Sequence, residues 1–238
     1  MEPTPITLFG LAYSSRLYTA LTDTAWEDLQ ERIKAPIPDL SDEQHGLAVM
    51  DFLNKWRCRI STDAKSRIEA CASLREWSRQ WSGKLPSPKT PLANLSSDEI
   101  AAVADAFDSL SERTAGFASR QGRTIVKSFG PTGTAKVLFV FRPDAFPPWD
   151  DPIREALGFD GSGSEYCRFL LHVQKEIDLL VKDASRHDVS AEGISAAVGR
   201  TGVPLAKLID EYYWMTLTQG CSIPTKEDLM HWLQLLSE

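Results

Sequence analysis

A chain of 238 residues with a net charge of −7, 42% hydrophobic and 25% charged residues, can form one large domain or two lobes around a cleft. Seven Trp and ten Phe supply core material and set aside an intrinsically disordered chain. The acidic balance argues against indiscriminate binding to nucleic acid.

Helical periodicity dominates in chain order. Residues 42–56, DEQHGLAVMDFLNKW, carry Leu47, Val49, Met50, Phe52, Leu53 and Trp56 on one broad apolar stripe. Residues 62–81 space Ile68, Cys71, Leu74, Trp77 and Trp81 by threes and fours, which predicts a second helix. SGKLPSPKTP (82–91) is a proline-punctuated connector. Ser96 and Glu99 fit a capping box ahead of IAAVADAFDSL. The small-residue stretch TAGFASRQG and then TIVKSF lead into an apolar helix over 134–141, followed by another in DPIREALGF. GSGS (161–164) reads as a loop before a long amphipathic helix over 165–184, and the last two helices fall at 205–217 and 225–236. Period-two alternation is missing, and no repeat or low-complexity tract interrupts the pattern. The expected fold is all-α, two helical lobes flanking a cleft, with roughly eight to ten helices. The single unit 1–238 divides into lobes 1–115 and 116–238.

Charge is unevenly spread. From Arg113 to Arg142 the chain carries Arg113, Arg120, Arg123, Lys127, Lys136 and Arg142 and no acidic residue. A confined anionic partner would meet such a tract, although charge alone favours a solvated face. Within it, Gly130-Pro131-Thr132-Gly133-Thr134-Ala135-Lys136 invites comparison with a nucleotide-triphosphate loop. That loop needs its lysine directly after the second glycine and a strand before it; here Lys136 stands three residues past Gly133, so the comparison fails. A tight turn opening a helix fits better. Its N–H groups and dipole suit a phosphate, with Gly130, Thr132, Gly133 and Thr134 forming the grip and Arg123, Lys127 and Lys136 adding charge. Such a grip holds a DNA backbone without reading bases.

From Phe129 to Leu157 the sequence resembles the helix-hairpin-helix DNA glycosylase superfamily. Members carry a glycine-rich hairpin, a Thr-Ala-led apolar helix, a loop ending in proline, an aspartate and an apolar residue three further on. These look like Thr134-Ala135, KVLFVF, RPDAFPP, Asp150 and Ile153, with Arg154 where the family often has a basic residue. The resemblance implies a helix-hairpin-helix element at about 120–141, Asp150 as catalytic carboxylate, and DNA with a flipped base as partner. Strand-cutting members place a lysine just before Thr-Ala. Gly133 stands there, which implies base excision without efficient strand cleavage, with Lys136 on the same helix face as a substitute candidate. The chemistry stands on its own as well: a carboxylate beside the anomeric carbon stabilises the developing cation and activates water. Trp149 is a candidate to line the base pocket. The competing use of this segment is structural, with Asp151 as N-cap and Pro152 as first helical residue.

Other candidates carry less. Tyr212-Tyr213-Trp214 could stack a base but reads mainly as core, as does His172. His45 and Glu43 read as surface or capping residues, and Ser14-Ser15-Arg16 lacks the elbow a serine nucleophile needs. Cys58, Cys71, Cys167 and Cys221 are dispersed and do not cluster with histidines, so no metal or other cofactor is expected. MEPTPITLFG has neither a basic start nor an apolar run, and no apolar stretch reaches membrane length, so a cytoplasmic protein is expected. The reading is a DNA glycosylase acting on a modified or damaged base, in repair or against hypermodified invading DNA. Its rivals are a non-catalytic DNA-binding module on the same fold and a helical protein-interaction domain.

Overall fold

The computed structural model describes residues 5–22, 24–58, 60, 63–120 and 122–235. The chain is mainly helical. Its helices are α1 (Leu8–Leu21), α2 (Ala25–Ile33), α3 (Glu43–Lys55), α4 (Ala64–Trp81), α5 (Ser97–Ala101), α6 (Val103–Ser111), α7 (Gly130–Phe141), α8 (Asp151–Ala156), α9 (Gly163–Ser185), α10 (Ile194–Ala197), α11 (Leu205–Tyr213) and α12 (Lys226–Leu235). Side-chain caps set several starts: Asp42 caps α3, Asp63 caps α4, and Ser162 caps α9. Ser96 and Glu99 form the expected capping box at α5, satisfying N–H groups that have no partner inside the helix.

The all-α expectation needs one correction. Residues Thr114–Arg120 (β1) and Arg123–Ser128 (β2) form an antiparallel hairpin. Gly122, at φ +76°, sits at its turn, a conformation glycine reaches without strain. The β-branched run Thr124-Ile125-Val126 favours a strand, but both of its faces look outward, so burial imposes no alternation. Ile125 and Val126 are 42% and 60% exposed. A bulge lies between Thr114 and Gly116, and Phe117 N–H donates to the buried Ser66 hydroxyl (2.9 Å), fastening the hairpin to α4. The first arm expected for a helix-hairpin-helix element is therefore β2, and the 120–141 segment runs strand, turn, helix.

Helix α7 is the centre of the molecule. Every residue from Gly133 to Phe141 is buried, as befits a helix apolar nearly all round. It packs against α3 and α6, and α6 in turn packs on α9. The α6–α9 crossing is set by Gly163: a Cβ there would stand 2.3 Å from the Ala104 carbonyl oxygen, and Gly163 N–H donates to Asp108 (2.6 Å). Helix α1 lies against α11 and α9. One apolar core runs continuously from Ile6 to Tyr213. Among the described residues, no helix is long and apolar enough to cross a membrane.

Candidate functional site

The turn ahead of α7 begins with Phe129 and with Gly130 at φ +64°. Gly130, Pro131 and Thr132 stay partly accessible, while Gly133 and Thr134 are buried. Those two were expected to meet a phosphate; burial in the first turn of α7 removes them from it. Thr132 hydroxyl donates instead to Asp151 (3.0 Å), so a carboxylate occupies the approach to this helix start. On β2, Arg123 is exposed and Lys127 half-buried.

One turn into α7, Lys136 points inward. Its Nζ donates to the Trp56 carbonyl and lies 5.6 Å from the centre of the Trp56 ring. The ammonium also faces Asp150, Asp151 and Asp210 closely enough to favour their ionised forms. Cys58 lies beside it, its thiol pushed up by burial.

Asp150, not Asp151, is the N-cap of α8: its Oδ1 accepts Ile153 N–H at 3.0 Å. Pro152 consequently follows one helical residue instead of opening the helix. Thr218 hydroxyl lies 3.2 Å from both Asp150 oxygens. Burial pushes the Asp150 carboxyl up and the neighbouring Asp210 adds to it, while Ile153 N–H, Lys136 and Thr218 pull the other way. Asp151 behaves oppositely. Partial burial opposes its ionisation, but hydrogen bonds from Arg154 and Thr132 hold it below the usual aspartate range. Adjacent carboxyls with opposed environments are a recurrent feature of acid–base sites.

Thr218 reaches Asp150 because α11 continues into a five-residue π-helical turn, Trp214–Thr218, a geometry frequent at functional sites. On α11 itself, Lys207, Asp210 and Glu211 are buried, and sequence reading missed all three. Lys207 Nζ sits 2.9 Å from Asp210 and 3.5 Å from Glu211. It also lies 4.1 Å from the Tyr18 ring centre and 4.8 Å from that of Trp56, cation–π distances. Burial works against the ammonium, but Asp210, Tyr18 and Glu211 outweigh it and hold Lys207 protonated. Arg200 grips Glu211 through two contacts of 2.8 and 2.9 Å, and the Ser15 hydroxyl donates to the same carboxylate at 2.7 Å. Lys207, Asp210 and Glu211 stand at i, i+3 and i+4 on one face of α11, a spacing that a solvated polar face shares with a buried, paired row, so the sequence carried no signal that tells the two apart.

Compared with protein-family models, curated proteins and solved structures, the chain matches none.

Trp149 was expected to line a base pocket. It is fully buried instead, packed on Phe107, Tyr166 and Phe169, with its indole N–H donating to the Pro131 carbonyl (3.3 Å). The aromatic rings that do border the charged cluster are the half-buried Tyr18, Trp56 and Trp214, the first and last meeting edge-on at 5.5 Å. Tyr212 and Tyr213 belong to the core, and Tyr213 hydroxyl meets His172 Nε2 at 3.2 Å. Burial depresses the His172 imidazole, which stays neutral near pH 7. Among the described residues, no group of three or more His, Cys, Asp or Glu is arranged to hold a metal ion.

Together, Asp150, Lys136, Thr218, Asp210 and Lys207 form a charged cluster roofed by aromatic rings. Such a set can stabilise a cation that develops next to Asp150, or deprotonate a water held there.

Proposed function

We propose that the protein is a DNA N-glycosylase-like hydrolase that removes a modified or damaged base and leaves the strand uncut. The observation that carries this reading is Asp150: a half-buried carboxylate, oriented by Ile153 N–H and Thr218, beside a buried lysine. In the reaction the C1′–N bond breaks and the base departs with the electron pair, to be protonated. The cation left on the sugar is met by Asp150. Water adds at C1′ and gives its proton to the same carboxylate. Lys136 Nζ is engaged by the Trp56 carbonyl, so it is not free to attack the sugar, which supports base release without strand cleavage. The DNA backbone would rest on Arg123 and Lys127 of β2 and on the accessible turn at Gly130 and Pro131. Substrates would be alkylated, oxidised or hypermodified bases.

The test is duplex DNA carrying a panel of such bases, incubated with wild-type protein and with Asp150→Asn. Free base should appear with the wild type and fall by about 10²-fold or more in the variant, at unchanged DNA affinity. Binding without release of any base would favour the non-catalytic DNA-binding module, a reading that gains from the N-cap role of Asp150. No binding even at low salt would defeat both and leave the protein-interaction domain. Reduction with borohydride on abasic DNA checks the lysine. A strong covalent adduct lost in Lys136→Gln would overturn the uncut-strand prediction.

A further inference from the structure

Beside the π-helical turn, a cavity of about 480 Å³ opens between α1, α9, α11 and the segment before α12. Its walls include Ile6, Tyr212, Tyr213, Leu217 and Ile223, and Glu176 supplies a carboxylate. Sites for small organic molecules span roughly 300–1,000 Å³ and combine apolar walls with few polar groups.

Glu176 decides what this cavity takes. Its residue is 9% exposed, and Oε2 accepts one neutral donor, Ile6 N–H at 3.0 Å. Among the described residues no cation pairs with it, and the cavity lining holds no Lys, Arg or His. A buried carboxylate is costly unless paired, and the two buried carboxylates of α11, Asp210 and Glu211, each have a cation. Tyr212, whose phenol is pushed up by burial and by Glu176 itself, stays neutral and can offer its hydroxyl and ring face. A carboxylate flanked by tyrosine rings and aliphatic walls is suited to an ammonium head carrying an apolar body.

The geometry points to a binding site for a small organic ammonium compound, with Glu176 pairing the charge and Tyr212 and Leu217 enclosing the apolar part. This site is independent of the DNA reading. Thr216 and Leu217 in its wall belong to the same turn that brings Thr218 to Asp150.

Isothermal titration with 2-phenylethylammonium, against 2-phenylethanol and 3-phenylpropionate as neutral and anionic counterparts, tests it on the full chain. The ammonium should bind at least tenfold more tightly than either counterpart. Glu176→Gln, which retains an acceptor for Ile6 N–H, should lose that preference. If Glu176→Gln does not fold, Leu217→Trp, which fills the cavity from a half-buried position, should abolish ammonium binding. Equal affinity for the ammonium and the alcohol overturns the proposal. So does unchanged affinity in a folded Glu176→Gln or in Leu217→Trp.

Discussion

Replacing Lys207 with methionine tests whether the charged cluster is a mutually dependent unit. Lys207 is 1% exposed, and its Nζ gives Asp210 a contact of 2.9 Å. Glu211 would keep Arg200 and Ser15, whereas Asp210 would be left buried with only the more distant Lys136 as a cation. Breaking a buried pair from one side costs about 3–5 kcal/mol. At about 2–4 °C per kcal/mol for a chain of this size, the midpoint of thermal unfolding should fall by roughly 6–20 °C. Removing both partners in Lys207→Met/Asp210→Leu should recover most of the loss, since apolar replacement of a buried pair is often neutral or better. The pH dependence has a definite sign. Without Lys207 the folded-state pKa of Asp210 rises further above its unfolded value, so the folded protein holds that proton more tightly. The deficit of the single variant should shrink toward pH 5 and widen toward pH 8. Melting curves by circular dichroism at both pH values measure it. A single variant that melts within 2 °C of wild type, or a double variant no better than the single, would refute the reasoning.

Other outcomes follow from neighbouring residues. Asp150→Asn should unfold close to wild type because asparagine caps equally well, whereas Asp150→Ala should lose about 1 kcal/mol in urea titration; equal stability of the two would deny the cap its role. Because burial raises Asp150 and the reaction needs its carboxylate, single-turnover base release should increase with pH through an apparent pKa above the usual aspartate value; a rate flat from pH 4 to 7 would count against Asp150 as base. Gly163→Ala should force α9 from α6, because a Cβ would come within 2.3 Å of the Ala104 carbonyl, costing about 1–3 kcal/mol; a chemical-denaturation midpoint equal to wild type would contradict that crossing.

Much of the helical framework was legible because α3, α4, α6 and α9 carry apolar residues at helical spacing, and α3, α4, α5 and α9 begin at recognisable caps. Helices α1 and α2 went unread. In α2 the signal was present, with Trp26, Leu29 and Ile33 on one face, while α1 spreads small, aromatic and polar residues around its circumference. The hairpin escaped because alternation marks a strand only when one of its faces is buried. At the site, Asp150 could be singled out from its proline-framed setting. Its partners could not: Thr218 comes from 68 positions away through a π-helical turn, and local periodicity carries no trace of that distance. Trp149 was misjudged because proximity to Asp150 in sequence says nothing about which way an indole faces. The charges of α11 went unread because their i, i+3, i+4 spacing is the same for a solvated face as for a buried, paired row.

The hydrogen bond from Ser15 to Glu211 joins residues 196 positions apart, and Tyr18 covers Lys207 from the same first helix. During synthesis, α1 must wait for nearly the whole chain before its partner surface exists. Contacts of such separation form late and slowly, so a ribosome-bound chain lacks the completed cluster until α11 has emerged. A product terminated before α11 would carry the Asp150 loop with neither Thr218 nor Lys207 beside it.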